Sequence, residues 1–299
     1  MWALSLLLFL AAQPRLETRV VFDGTSAYHH IRVIDDRGLR TLSFDGSMET
    51  RMSLADPSQG HFEYTEYFHM PWLWNEHMSN VLMIGLGGAS TQRAYQRYCP
   101  HVRVETAELD PLVVKVARTY FHFEDGPNSK VVVSDGRIYV RRSEKKYDAI
   151  ILDAYVKNRY GSFIPYHLVT REFFNLANEH LTADGVLAYN VMGSFQGWRA
   201  DILGSVYRTM KSVFPQVYLF PAHDSLNVVL IGTRSKEKLT ASVALQKGTN
   251  LVRRGVVRMP TFPARLLSFR ADPPPSFLRS PELSDDFAPV DGLLRGRNW

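Results

Sequence analysis

Between residues 80 and 232 the chain alternates short, continuously apolar runs with amphipathic stretches. The runs at 81–84, 102–107, 130–133, 149–152, 186–191, 217–220 and 226–231 are rich in Val, Ile and Leu. Strands that are apolar on both faces and separated by helices predict a mostly parallel sheet covered on both sides. Only residues 221–225 separate the last two runs, too few for a helical crossover, so that pair is predicted antiparallel at one edge. Upstream, residues 19–54 change period. Apolar and polar positions alternate there, punctuated by Asp23-Gly24, Asp35-Asp36-Arg37-Gly38 and Asp45-Gly46, which predicts hairpins and a small antiparallel sheet. Aromatics crowd residues 62–74 around Pro71, a short helix or loop packing the small sheet onto the large one. From Met259 onward Pro and Arg rise and predict an extended tail. The chain thus divides into an apolar start (1–18), a small β-domain (19–75), an α/β domain (76–250) and a tail (251–299).

Composition narrows the picture without changing it. At 299 residues, 45% hydrophobic and 22% charged, the chain is an ordinary globular protein large enough to bury a core unaided. Its single cysteine, Cys99, excludes an internal disulfide and a cysteine-based zinc cluster. The formal charge of +5 is mild and dispersed, which argues against a nucleic-acid partner and for a small-molecule enzyme or binding module. The apolar run at 2–12 is too short to span ~30 Å of hydrocarbon. It has the length of a signal-peptide core but no preceding Lys or Arg, so two readings stand. As a signal or membrane remnant it implies periplasmic or membrane-associated placement; as a packed segment it leaves a cytoplasmic protein.

The chemistry collects where the apolar runs end. The first runs into Gly85-Leu86-Gly87-Gly88-Ala89-Ser90, a glycine turn opening a helix, where backbone N–H groups can approach a ligand closely. Ser90 stands where the dinucleotide fingerprint has its third glycine. The second run ends in Ala107-Glu108-Leu109-Asp110, placing Glu108 about twenty residues beyond Gly85, the spacing at which an acid holds ribose hydroxyls. Asp110-Pro111 reads as a helix start, so Asp110 is the cap and Glu108 the ligand group. The third ends in Ser134-Asp135-Gly136-Arg137, where Asp135 is placed to accept from an adenine amino group, and the fourth in Leu152-Asp153-Ala154-Tyr155. Ligands of open α/β sheets bind at this carboxyl edge. No H-E-x-x-H, G-x-S-x-G or P-loop pattern occurs, so no metal site is expected. A nicotinamide dehydrogenase would share the glycine turn and Glu108 but gives no reason for Asp135 or the antiparallel last pair.

These segments, with Tyr28-His29-His30-Ile31, Leu42-Ser43-Phe44-Asp45-Gly46, Tyr147-Asp148-Ala149-Ile150-Ile151-Leu152-Asp153 and residues 165–174, resemble the spermidine synthase-like (polyamine aminopropyltransferase) proteins among the class I S-adenosylmethionine-dependent transferases. The resemblance covers residues 19–235, with an echo at 283–291. It implies a Rossmann-like seven-stranded sheet with an antiparallel last strand beside a small N-terminal antiparallel β-domain. It also implies decarboxylated S-adenosylmethionine or S-adenosylmethionine as co-substrate, a small-molecule amine as partner and a homodimer. By it Glu108 holds the ribose, Asp135 and Gly136 the adenine side, and Gly85 and Gly87 face the thioether. The chain departs from the pattern in three places: Gly88 or Ala89 replaces an aspartate in the glycine turn, Glu49 stands for a donor-binding glutamine, and Val156 replaces the second acid of the fourth-strand motif.

The last departure bears on catalysis. Aminopropyl transfer needs a neutral amine, polyamines are protonated near neutral pH, and a carboxylate must therefore bind the acceptor and take or relay a proton. Asp153 is the remaining candidate, with Tyr155, Glu49 and Glu66 as contributors if they line the same mouth. Aminopropyl transfer leads. Methyl transfer to a small acceptor, which tolerates Val156, and a non-catalytic nucleoside-binding homologue are the alternatives.

Overall fold

The computed structural model describes residues 17–158, 161–197 and 199–293. The apolar run at 2–12, and with it the reading of a signal or membrane remnant, lies outside the described residues. Among those described, no helix is long and apolar enough to cross a membrane.

Strands β1 (Arg19–Thr25), β2 (His30–Asp36), β3 (Leu39–Phe44) and β4 (Ser47–Ser53) form an antiparallel meander. Two of its hairpins turn where left-handed backbone is available, at Arg37-Gly38 and at Asp45-Gly46, all four residues having positive φ. The hairpin expected at Asp23-Gly24 is absent. β1 continues through both residues because Asp23 sits opposite Arg32 in the ladder and pairs with it (3.1 Å) and with His30 (2.7 Å), contacts that favour extended backbone. The chain turns instead at residues 26–29, where the Ser26 hydroxyl accepts from the N–H groups of Tyr28 and His29.

The large sheet is built from β5 (Asn80–Ile84), β6 (Arg103–Glu108), β7 (Ser129–Val133), β8 (Tyr147–Leu152), β11 (Leu181–Met192), β12 (Gln216–Pro221) and β13 (Asn227–Thr233), in the order β12-β13-β11-β8-β5-β6-β7. The short hairpin β9 (Val156–Asn158) and β10 (Gly161–Phe163) stands apart. The five strands β11, β8, β5, β6 and β7 run parallel, and β13 is antiparallel to both its neighbours, inserted between β11 and the edge strand β12. Successive residues of each strand serve opposite cores. Val81, Met83, Ala149, Ile151, Val229 and Ile231 face one; Leu82, Ile84, Ile150, Leu152 and Leu230 face the other. Two buried faces explain the unbroken apolar runs, at about 25 cal/mol per Å² of apolar surface removed from water.

Helices α1 (Ser90–Tyr98), α2 (Pro111–Tyr120), α3 (Gly136–Arg142), α4 (Arg171–Glu179) and α5 (Ala200–Lys211) connect the strands, followed by α6 (Ala241–Arg253) and the single turn α7 (Phe262–Arg265). The small sheet lays Ile31, Val33, Leu42, Phe44 and Met52 onto Val113, Val116, Ala117 and Phe121, which roofs one side of the glycine turn. The aromatic stretch is a 3-10 run, Glu63–Leu73, whose Tyr67, Phe68 and Trp72 are fully enclosed against the large sheet. The tail is not a loose extension. Arg270 exchanges backbone hydrogen bonds with Leu219 on edge strand β12, Phe269 packs on Tyr218 and Phe220, and Ser276 donates to the Ala200 carbonyl (2.6 Å). Prolines open the short turns there, at 262–265 and 275–278, and Phe262, Leu266, Phe269 and Leu283 are buried, so the open edge is covered in the process.

Candidate active site

Strand register lines up the ends that carry chemistry. Ile84 pairs with Ala107 on one side and Leu152 on the other, and Glu108 pairs with Val133. Gly85, Glu108 and Asp153 consequently stand in a row, with Asp135 two residues past the end of β7. Of the residues singled out from the sequence, Glu49, Gly85, Gly87, Glu108, Asp135, Gly136, Asp153 and Tyr155 line one cleft with an empty volume of about 1100 Å³ including its open mouth, and Glu66 does not.

The glycines are dictated by crowding as much as by conformation. Gly85 has φ +98°, and a Cβ there would meet the Asp153 carbonyl oxygen at 2.2 Å. At Gly136 a Cβ would lie 2.3 Å from Ile84 Cγ2. Gln92 from α1 donates to the Gly85 carbonyl (3.2 Å), and Thr50 Oγ1 from β4 accepts from the Gly88 N–H (2.8 Å). The small domain thereby takes part in shaping the turn. Thr50 and Gln92 carried no sequence signal beyond their place in a strand and a helix.

Glu108 is buried. Its two carboxylate oxygens accept from the N–H groups of Leu86 and Asp110, each at 2.8 Å. Burial raises its pKa to about 7, opposed by these backbone hydrogen bonds. Asp110 is the N-cap of α2, accepting from Leu112 N–H (2.8 Å), and its other oxygen receives the Ser26 hydroxyl (2.5 Å). Asp135 likewise caps α3 through Ile138 N–H (2.9 Å), while His167 Nε2 lies 2.8 Å from its second oxygen. The adenine contact expected of Asp135 would therefore use a remaining lone pair beside His167, a cleft residue the sequence did not single out.

At the acceptor end Asp153 receives Asn190 Nδ2 on one oxygen (2.8 Å) and the Tyr64 hydroxyl on the other (3.2 Å). Asn227 from β13 donates in turn to the Asn190 side-chain oxygen (3.0 Å). Desolvation lifts Asp153 to about 6 against the pull of both hydrogen bonds, and burial with the neighbouring Asp153 charge holds Tyr64 well above the usual phenol range, a neutral donor. Tyr155 differs from its expected role. Its hydroxyl accepts from Met192 N–H (2.7 Å) and donates to the Asn190 carbonyl (3.0 Å), so it braces β11 and offers the cleft its ring. Glu66 does not join this mouth. Two residues beyond Tyr64 on a 3-10 run it points elsewhere, held by His61 (2.8 Å) and Arg265 (2.5 Å) in a neighbouring cavity. Among the described residues, four acids and no Lys or Arg line the cleft, and no group of His, Cys, Asp and Glu is arranged to hold a metal.

A family model described as the spermine/spermidine synthase domain matches residues 61–227. The chain is 30% identical over 224 residues to a polyamine aminopropyltransferase of Vibrio vulnificus, covering 72% of each chain. Among solved structures it resembles a spermidine synthase in complex with the transition-state analogue AdoDATO, with TM-score 0.65, 23% identity and 85% of each chain covered. It also resembles human methyltransferase-like protein 13 in complex with SAH, with TM-score 0.56, 24% identity, and 65% of this chain and 92% of that one covered. At these identities the structural likenesses establish the Rossmann-like fold.

Proposed function

The chain belongs to the spermine/spermidine synthase family, and from that premise we propose that it moves an aminopropyl group from decarboxylated S-adenosylmethionine to a polyamine-type amine. The observation carrying this reading is the charge of the cleft: Glu49, Glu108, Asp135 and Asp153 line it without a Lys or Arg among the described residues. Decarboxylated S-adenosylmethionine is doubly cationic, and the acceptor is a polycation. A donor retaining its carboxylate would bring a like charge into this enclosure.

Glu108, held by two backbone donors, presents its remaining lone pairs to the ribose hydroxyls, and the Asp135–His167 pair borders the adenine. The glycine turn lets the thioether lie against backbone. Asp153 binds the acceptor, and its raised pKa makes it a better proton acceptor than a solvated aspartate. The neutral amine attacks the aminopropyl carbon next to the sulfonium. A C–N bond forms as the C–S bond breaks, its electron pair returns to sulfur, methylthioadenosine leaves, and the proton shed by nitrogen passes to Asp153. Tyr64 and Asn190 orient that carboxylate; positioning supplies much of the acceleration.

Methyl transfer is the second reading, favoured by Val156, which presents a partly exposed apolar side chain at the mouth where the family pattern has an acid. Incubating the protein with each donor and a panel of di- and polyamines, then weighing the products, separates the two. An aminopropyl gain from the decarboxylated donor is expected. A methyl gain from intact S-adenosylmethionine, or no product from either, would sink the proposal.

A further inference from the structure

The segment at 283–291 has no part in the chemistry of the cleft, yet the fold brings its Asp285 up behind the adenine end. Leu283 is fully buried and its carbonyl accepts from Arg171 N–H (2.9 Å), which fixes the tail on the first turn of α4. A tight turn follows, in which Ser284 and Phe287 exchange backbone hydrogen bonds (3.0 Å each) and Glu172 accepts from the Asp285 N–H (2.9 Å). The Asp285 carboxylate then gathers three elements. Arg137, in the first turn of α3 directly after Asp135-Gly136, forks onto it with Nη1 and Nη2 at 2.7 and 2.6 Å. Thr170, the N-cap of α4, donates to it at 2.7 Å. Arg137 Nη1 also donates to the carbonyl of His167 (3.1 Å), in the single 3-10 turn Tyr166–Leu168.

From there the connection runs into the cleft. His167 lines it with a partly exposed ring and sets Nε2 2.8 Å from Asp135 Oδ2, while the other Asp135 oxygen is spent on Ile138 N–H (2.9 Å). A carboxylate accepts, so the imidazole donates from Nε2. With both oxygens held, the lone pair left for an adenine amino group has a fixed direction, and this side chain need not be ordered when the ligand arrives. Two parallel hydrogen bonds from an arginine to a carboxylate fix direction as well as charge. Arg137, opposed by partial burial and aided by Thr170, holds the Asp285 carboxyl below its usual range, and His167 is near enough to act in the same sense. The pair is partly open to water, with 20% of the Arg137 and 42% of the Asp285 side chain exposed, and so contributes little to global stability. Its weight falls on the placement of the turn that carries His167.

We propose that Asp285 is a positioning residue for nucleoside binding: through Arg137 it holds the turn of His167 so that the imidazole fixes Asp135 toward adenine, and the C-terminal tail thereby sets how selectively the 6-amino group is read. The inference rests on the adenine contact assigned to Asp135. It is tested on the full chain by calorimetry with methylthioadenosine and with methylthioinosine, in which a carbonyl replaces the amino group. The wild type should prefer the adenine compound. Asp285→Asn should weaken methylthioadenosine by about three- to tenfold, the cost of ordering a freed side chain, and change methylthioinosine by less than about twofold, so that the preference shrinks. His167→Phe should shrink it at least as far, and the double variant should lose no more than His167→Phe alone. A merely structural contact would lower the melting temperature and leave the preference where it was. Circular dichroism would establish folding, and Arg137→Lys, which keeps the charge but loses the fork, carries the test if Asp285→Asn does not fold. An unchanged preference in a folded variant, or losses that simply add, overturns this inference and leaves aminopropyl transfer standing. A wild type that binds neither compound, or does not prefer the adenine one, overturns the adenine assignment and the inference with it.

Discussion

The two cavities share a wall and differ in how their charges are held. In the first, acids stand at successive strand ends, fixed by backbone N–H groups and amide or phenol donors, with faces left open to a ligand. In the second, the one acid among the described lining residues, Glu66, is paired with His61 and Arg265, and Arg93 and Arg97 line the wall. The divide falls within a few residues: Tyr64 reaches Asp153 in the first, Glu66 reaches Arg265 in the second, and Thr65 touches both. Charge type in a cleft follows from which strand and helix ends meet there, and the net charge of +5 says nothing about either cavity.

The sharpest way to break the comparison is to remove the charge at the acceptor end. Asp153→Asn should lower turnover of decarboxylated donor with polyamine by about 10²- to 10⁴-fold, the range of general acid–base groups, while methylthioadenosine binding changes by less than about threefold. A variant retaining full kcat would remove Asp153 from the chemistry.

Glu108 provides a pH test. Ribose hydroxyls donate to the ionised carboxylate, so nucleoside binding favours loss of the proton, and affinity should fall by up to about tenfold per unit as pH drops below about 7. Calorimetry across that range would show it; a flat profile would mean the ribose does not depend on Glu108.

Stability should respond in the opposite sense. Asp153 has a folded pKa raised to about 6, so the native state keeps its proton longer than the unfolded chain. The stability linked to that proton is present at low pH and lost as pH rises from the usual carboxylate range through about 6. Asp153→Asn should therefore melt about 2–4 °C above wild type at pH 8, the gap closing by about pH 4. The smallest effect belongs to Tyr155→Phe, which deletes the brace to Met192 N–H and the Asn190 carbonyl. It should cost about 1 kcal/mol in chemical unfolding and reduce kcat only modestly. A loss as large as that of Asp153→Asn would restore Tyr155 to the chemistry.

What could be read from the chain was whatever is local. Apolar runs named the strands of the large sheet, and acids following glycine or apolar residues named their ends. Asn190 was hidden because it lies inside an apolar run, and its role arises only when β11 pairs with β8 and β13. Tyr64 was hidden among aromatics that mostly pack the core, and Glu66 was misplaced because a 3-10 run turns neighbouring side chains to different cavities. Asp23-Gly24 misled for a similar reason: cross-strand partners at His30 and Arg32 outweighed a local turn preference.

The most direct test asks whether the row of acids holds an adenosine thioether at all. Calorimetric titration of methylthioadenosine into the wild-type protein at pH 8 should show saturable binding to one site, lost by about 100-fold or more in Glu108→Ala. No binding by the wild type, or undiminished binding by the variant, would contradict the account.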